Sequence, residues 1–162
     1  MQDLFSLKDK VALITGSTKG IGLSIAETYA AAGAKVVISS RKAEACEAVA
    51  NELREKGFEA IAKPCHIGDK AQLQGLVDTT LATWGKIDVL VCNAATNPVY
   101  GPLSELTDEA WDKIMDTNVK STFWLCNMVL PGMAEAAGGS VILRSSIAAI
   151  KGNDKIGCYG MS

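Results

Sequence analysis

A glycine-rich segment near the start of the chain has the residue types and spacing needed to bind phosphate. It directly follows the apolar run 11–15 and reads Thr15-Gly16-Ser17-Thr18-Lys19-Gly20-Ile21-Gly22. Gly16 would allow a sharp turn, Gly20 would let the backbone approach a pyrophosphate, and Gly22 would let the next helix pack on a sheet. The N–H groups that begin this helix would then face the phosphates. A lone glycine triplet is often only a turn, but a strand before it and a helix after it favour a dinucleotide site.

The end of the second apolar run carries the residues expected to select the dinucleotide. In dinucleotide folds a carboxylate at this position binds the ribose hydroxyls of NAD and repels a 2′-phosphate. Here Ser40 and Arg41 stand at this point. Ser40 removes the repulsion, Arg41 offers a planar donor fork, and Lys19 adds a second cation. We therefore expect NADP(H); the alternative is that both cations are solvated surface charges.

Composition excludes several classes of partner. The net charge is −2 and the basic residues are scattered, so we expect neither nucleic acid nor an anionic membrane as partner. No run of about 18 apolar residues occurs, and the N-terminus lacks the order of a signal peptide, so we expect a cytoplasmic protein. The five cysteines form no CxxC pair and His66 is the single histidine, so we expect no metal site.

The order of elements predicts a single α/β domain over residues 1–162. Strands are predicted at 11–15, 36–40, 59–63, 87–93 and 139–145, with helices at 21–32, 42–56, 69–83 and 107–136 between them. Long crossovers between strands imply a doubly wound parallel sheet with helices on both faces. Gly33 and Gly57 are expected to close the first two helices, and Thr107 to cap the last.

Motifs spread along the chain resemble those of the classical short-chain dehydrogenase/reductase family. They are TGxxxGIG at Thr15–Gly22, Asn93-Ala94-Ala95, Asn118, Ser146 and Tyr159. The resemblance implies a Rossmann-type, NAD(P)-binding domain and an oxidoreductase that interconverts a secondary alcohol with a ketone or aldehyde. It also implies a homo-oligomer, dimer or tetramer, in the intact protein. The subgroup it most resembles includes NADPH-dependent carbonyl and retinol reductases.

The resemblance assigns roles to three residues of the reaction. Hydride transfer to a carbonyl builds negative charge on oxygen, which calls for a proton donor and a hydrogen-bonding group. Tyr159 would supply the proton, and Ser146, thirteen residues earlier, would orient the carbonyl; Ser145 is the weaker candidate. Asn118 would steady a helix kink and position water.

The resemblance also extends the cofactor site beyond the glycine-rich segment. Asn93, Ala94 and Ala95 would let the cofactor approach closely, with Asn93 mainly stabilising the sheet. The family usually has an Asp beside the adenine, but this chain has His66, followed by Ile67. His66 would stack on or hydrogen-bond to adenine, or would be merely a partly buried neighbour.

One family residue lies beyond the last residue of this sequence. The family places a lysine four residues after the tyrosine, to lower its pKa and hold the nicotinamide ribose, and this sequence ends at Ser162. We therefore expect an incomplete domain that lacks the later strands and the helix carrying Tyr159 onward, with an uncovered apolar face at 120–135 and weak or no activity. The alternative is a non-catalytic nucleotide-binding fragment or an association partner of a full-length subunit.

Overall fold

A parallel sheet forms the centre of the computed structural model, which describes residues 2–162. Its strands are Val11–Thr15 (β1), Lys35–Ser39 (β2), Ala60–Ala62 (β3), Val89–Cys92 (β4) and Ser140–Leu143 (β5). They pair in parallel in the order β3-β2-β1-β4-β5. Each observed strand overlaps its predicted range, with ends that differ by at most two residues, and the predicted doubly wound α/β fold is confirmed.

Within residues 2–162, six helices connect or follow the strands. They are Gly20–Ala31 (α1), Ala43–Glu55 (α2), Lys70–Trp84 (α3), Asp108–Met115 (α4), Ser121–Glu135 (α5) and Gly157–Met161 (α6). Short 3₁₀ turns occur at Gln2–Phe5, Leu103–Glu105 and Ile147–Ala149. The prediction of one helix over 107–136 was incomplete, because a π turn at Asp116–Lys120 separates α4 from α5.

The predicted helix boundaries rest on local backbone chemistry. Gly33 and Gly57 follow α1 and α2 with φ values of 97° and 85°, as expected of residues that end helices in the left-handed region. The Thr107 side chain accepts a hydrogen bond from the Ala110 N–H at 3.3 Å and begins α4. Asp69 begins α3 in the same way, accepting from the N–H groups of Ala71 and Gln72.

Two apolar cores hold the helices on opposite faces of the sheet. Because side chains alternate along a strand, Ile14 of β1 faces α1 and α2, whereas Leu13 faces α3 and α5. Both side chains are fully buried. The central strands therefore read as continuous apolar runs, as parallel strands covered on both faces do.

Apolar side chains are left uncovered at the β5 edge and on α5. Leu143 of β5 is 59% exposed and Phe123 of α5 is 62% exposed. The uncovered apolar face expected at 120–135 is therefore present, although Leu125 and Val129 on the opposite side of α5 are buried. Among residues 2–162, no helix combines the length and the apolar character needed to cross a membrane.

Asp88 joins the beginnings of three strands. Its Oδ2 accepts a hydrogen bond from the Val11 N–H at 2.8 Å, its N–H donates to the Val11 carbonyl, and its carbonyl accepts from the Ser140 N–H. Burial opposes ionisation of this carboxyl group, but the Val11 hydrogen bond and the ammonium groups of Lys86 and Lys10 outweigh it and lower the Asp88 pKa. The folded state therefore favours the ionised form.

Replacing Asp88 with Asn should reduce stability in a pH-dependent way. Since folding lowers the Asp88 pKa, its ionised carboxylate stabilises the fold above the unfolded value of about 4 and loses this effect as the pH falls through the folded value. Urea unfolding of Asp88→Asn should show a loss of about 1–2 kcal/mol at pH 7. The difference from wild type should shrink at pH 3. Asp154→Asn, at an exposed position, is the control, and a pH-independent difference would contradict the explanation.

Candidate functional site

The glycine-rich turn between β1 and α1 lies at the carboxyl edge of the sheet. The strand order reverses between β1 and β4, and a crevice forms outside the strand ends at such a point. Gly16 and Gly20 have φ values of 67° and 57°, in the region that favours glycine. A Cβ on Gly20 would meet nothing within 4 Å, so open space lies in front of this backbone. The turn therefore has the shape and the access that a phosphate requires.

Asn93 fixes the turn against the end of β4. Its Nδ2 donates to the carbonyls of Thr15 and Gly16 at 2.8 and 3.2 Å. The Thr15 hydroxyl in turn accepts from the N–H groups of Asn93 and Ala94, each at 3.0 Å. A Cβ on Gly22 would lie 2.5 Å from Asn93 Nδ2, so only glycine permits this packing. The contacts agree with a structural role for Asn93.

A cleft of about 400 Å³ opens above this turn. Most of the residues that the sequence predicts to bind the cofactor line this cleft. They are Gly16, Thr18, Lys19, Gly20, Ile21, Gly22, Ser40, Arg41, His66, Ile67, Asn93, Ala94 and Ala95. Ser17 is the one predicted cofactor residue that does not line it. Ser17 is fully buried: its hydroxyl donates to the Ile14 carbonyl and accepts from the Ser39 N–H, both at 2.8 Å. Ser17 therefore ties the turn to β2 and has no hydroxyl hydrogen free for a ligand.

The cleft is lined by basic side chains. Lys19, Arg41, Lys113 and Arg144 line it, and none of its lining residues within the described chain is Asp or Glu. Such an arrangement attracts anions, and the surrounding protein reduces screening by solvent. In the same described part of the chain, no three His, Cys, Asp or Glu side chains gather in a way that could hold a metal ion. The electrostatics of the cleft suit a polyanionic ligand.

Cys46 holds the Ser40 backbone in place at the end of β2. Its buried sulfur accepts a hydrogen bond from the Ser40 N–H at 3.1 Å and lies 3.3 Å from the Ser40 hydroxyl. The Cys65 N–H donates to the Ser40 carbonyl at 2.9 Å. Burial raises the pKa of the Cys65 thiol to about 11, so this cleft residue stays uncharged at neutral pH. Arg41, exposed beside Ser40, extends from a firmly held backbone.

His66 lies at the β3 end of the cleft in a defined ring orientation. Its Nδ1 accepts a hydrogen bond from the Gly68 N–H at 3.1 Å, and the His66 backbone N–H donates to Gln72 Oε1 at 2.8 Å. Since Nδ1 is an acceptor here, the neutral ring carries its hydrogen on Nε2. A half-buried ring in this orientation can stack on a planar ligand or donate a hydrogen bond to it.

Asn118 lies in the π turn and links two segments around the cleft. Its Oδ1 accepts from the Thr96 N–H at 2.8 Å, and its Nδ2 donates to the Thr96 carbonyl at 2.9 Å. Nδ2 also donates to the Ser162 hydroxyl at 2.9 Å, and that hydroxyl donates to the Tyr159 carbonyl. A π turn commonly marks a functional position in a helix. Asn118 thus connects the loop after β4 with the segment that carries Tyr159.

Ser146 and Tyr159 lie on neighbouring elements. Ser146 precedes the turn Ile147–Ala149, and its hydroxyl accepts from the Ala148 N–H at 3.2 Å. Contrary to the expectation that its helix lies outside the chain, Tyr159 is within α6. A Cβ on Gly160 would come within 2.6 Å of the Ala148 carbonyl oxygen, so glycine allows α6 to pack closely on the turn after Ser146. Both side chains are half-buried, whereas Ser145 is exposed.

Several residues that line the cleft were not predicted from the sequence. They are Cys65, Thr96, Lys113, Thr117 and Arg144. Lys113 and Thr117 are four residues apart, so helical spacing could have placed them on one face. Arg144 directly follows β5, where its position at a strand end could have indicated it.

Comparison with known proteins identifies relatives along nearly the whole chain. The family model described as short chain dehydrogenase matches residues 10–162. The dehydrogenase/reductase SDR family member 4 of Oryctolagus cuniculus is 44% identical over 156 residues, which cover 96% of this chain and 60% of that protein.

Two solved structures share the fold. A 7 alpha-hydroxysteroid dehydrogenase complexed with NADH and 7-oxo glycochenodeoxycholic acid has a TM-score of 0.95 and 34% identity, and it is matched over 100% of this chain and 63% of its own. A metagenomic short-chain oxidoreductase in complex with NADP has a TM-score of 0.90 and 32% identity, over 96% of this chain and 70% of its own. One complex contains NADH and the other NADP, so these relatives do not choose between the cofactors.

The sequence thus spans about three-fifths of the curated relative's length. Within that span the glycine turn, the Asn93 contacts and the strand order form one continuous arrangement, and the family model covers all of them. This chain belongs to the short-chain dehydrogenase family.

Proposed function

We propose that the chain binds NADP(H) in the basic cleft, and that the whole protein interconverts a secondary alcohol with a ketone or aldehyde. One observation carries the choice of cofactor. Lys19, Arg41, Lys113 and Arg144 line the cleft, and no Asp or Glu among the described residues does so. NADP(H) carries an additional phosphate relative to NAD(H), so such a cleft favours it. The volume of about 400 Å³ lies within the usual range for ligand sites.

The adenosine end of the cleft supports the same choice. Ser40 brings no negative charge to the end of β2, and the Cys46 and Cys65 contacts fix its backbone. Arg41 can therefore present its guanidinium to a 2′-phosphate with little loss of backbone freedom. His66 would lie beside the adenine.

Ser146 and Tyr159 would handle the proton of the reaction. The bound cofactor would supply or accept the hydride. The Ser146 hydroxyl would donate a hydrogen bond to the substrate oxygen, and the Tyr159 hydroxyl would give that oxygen its proton on reduction or take it on oxidation. Asn118 would keep the Tyr159 segment against the loop after β4 through Thr96 and Ser162.

For the 162-residue chain, we propose cofactor binding with weak or no carbonyl reduction. The chain spans about three-fifths of the curated relative's length, so we propose the full activity for the whole protein only. The exposed Leu143 and Phe123 side chains favour a second candidate, in which this chain binds nucleotide and associates with a full-length subunit without catalysing a reaction. We retain a cytoplasmic location and a homo-oligomeric intact enzyme as proposals.

Replacing Arg41 with Gln should weaken NADPH binding selectively. A hydrogen bond to a charged group contributes about 1.5–3 kcal/mol, so the dissociation constant for NADPH should rise at least about tenfold. That for NADH should change less than about twofold, because NADH has no 2′-phosphate. Titration calorimetry with both cofactors checks this. Lys42→Gln, which removes an adjacent charge outside the cleft, is the matched control; equal losses for the two cofactors would exclude a 2′-phosphate contact.

Replacing Tyr159 with Phe, or Ser146 with Ala, should separate binding from chemistry. Either change should lower residual NADPH oxidation by about 10²-fold or more, the size expected for loss of a general acid. NADPH should still raise the melting temperature of both variants, since neither hydroxyl is needed to hold the phosphates. The assays are NADPH oxidation over a panel of aldehydes, ketones and diketones, and thermal unfolding.

Ser145→Ala is the control for these variants and should keep the wild-type rate. Binding of NADPH without reduction by the unmodified chain would agree with both candidates, whereas reduction that depends on Tyr159 would exclude the non-catalytic alternative. A turnover number typical of intact family members would instead contradict the weak activity proposed for these 162 residues.

A further inference from the structure

Arg144 lies in the half of the cleft opposite Arg41. Its N–H donates to the Cys92 carbonyl at 3.1 Å and continues the pairing of β5 with β4 beyond Leu143. In the order β3-β2-β1-β4-β5, Arg41 follows β2 on one side of the crevice, whereas Arg144 follows β5 on the other. Ser146 follows two residues later. Arg144 therefore belongs to the half that would contain the reacting atoms.

The Arg144 guanidinium is held by neutral acceptors only. Nη1 donates to Asn93 Oδ1 at 3.2 Å and to the Asn93 carbonyl at 3.4 Å. Asn93 is buried and bonded through Nδ2 to Thr15 and Gly16, so Arg144 is anchored to the glycine turn through one side chain. Among the described residues, neither Nε nor Nη2 of Arg144 has a hydrogen-bond partner, and no carboxylate pairs with it.

This geometry leaves a planar donor fork open toward the cleft. A guanidinium has five N–H donors, and Nη1 can account for two of them. The remaining donors match two oxygens of a phosphate or a carboxylate, and the Asn93 contacts hold the group before any ligand arrives. Neutral acceptors orient the guanidinium without neutralising its charge.

We propose that Arg144 binds an oxyanion in the half of the cleft that lies on the β5 side. Arg144 would then be a binding residue in addition to those that select the 2′-phosphate. The inference rests on the proposed NADP(H) site. Two sources could supply the oxyanion: the cofactor's pyrophosphate, since Arg144 is tied through Asn93 to the glycine turn, or an acidic group of the carbonyl substrate, since Ser146 is nearby in the chain.

The test uses Arg144→Gln with four probe compounds. NADPH reports the whole cofactor site. 2′,5′-ADP reports the adenosine half, because it keeps the 2′-phosphate and the adenosine-side phosphate but lacks the nicotinamide-side phosphate of the pyrophosphate and the nicotinamide. Phenylglyoxylate and its methyl ester, titrated onto the NADPH-loaded chain, report an acidic substrate group against a neutral one. Lys151→Gln is the matched control, because it removes an exposed charge outside the cleft.

Two results would support the proposal and identify the source. A rise of about tenfold or more in the NADPH dissociation constant, with less than about twofold change for 2′,5′-ADP, indicates the pyrophosphate. An unchanged NADPH constant with a lost preference for phenylglyoxylate over its ester indicates the substrate. Arg144→Lys, which keeps the charge but not the fork, should fall between wild type and Arg144→Gln.

Other results would overturn the proposal. The first is that Arg144→Gln leaves the binding of every probe unchanged. The second is that it weakens the binding of NADPH and of 2′,5′-ADP equally. The third is that Lys151→Gln weakens binding to the same extent. The melting temperature of Arg144→Gln should stay within about 3 °C of wild type, because the side chain is exposed. Failure of the unmodified chain to bind 2′,5′-ADP would count against the proposed NADP(H) site instead, so the two failures are distinguishable.

Discussion

The contact between the glycine turn and Asn93 is the constraint on which the site depends. Asn93 bonds to the carbonyls of Thr15 and Gly16, and Gly22 packs against the same amide. Together these contacts join the glycine turn to the end of β4, where the crevice opens. A side chain on Gly22 would separate α1 from the turn and move the helix N-terminus away from the cleft. Helix packing and ligand access therefore depend on one cluster of polar contacts.

Much of the fold follows from the sequence because its local signals agree with one another. β-Branched runs, helical periodicity, Gly33, Gly57 and the Thr107 cap all point to the same boundaries. Hydrophobic periodicity did not indicate the π turn at Asp116–Lys120, because it does not distinguish one extra residue within a long helix; the family resemblance alone implied a kink at Asn118. The position of Tyr159 within α6 was also missed, since a five-residue helix leaves almost no periodic signal.

Site residues that belong to a recognisable sequence motif could be predicted. Residues whose role depends on a contact with another part of the chain could not. Gly20, Ser40 and Arg41 line the cleft as expected. Ser17 does not, because its hydroxyl bonds to the backbone of β1 and β2. The anchoring of Ser40 by Cys46 depends on a contact between a strand end and a helix, which spacing alone does not reveal. The roles of Ser146, Tyr159 and Asn118 remain proposals.

The central claim is that the glycine turn and the basic cleft above it form the dinucleotide site. At 17.0 kDa the chain is suited to amide-resolved NMR, and a titration with NADPH would localise binding directly. We expect the largest shifts at the backbone amides of Gly20, Ile21 and Gly22, with further shifts at Arg41 and Ala94. Shifts confined to the exposed edge around Leu143, with the glycine turn unchanged, would contradict it.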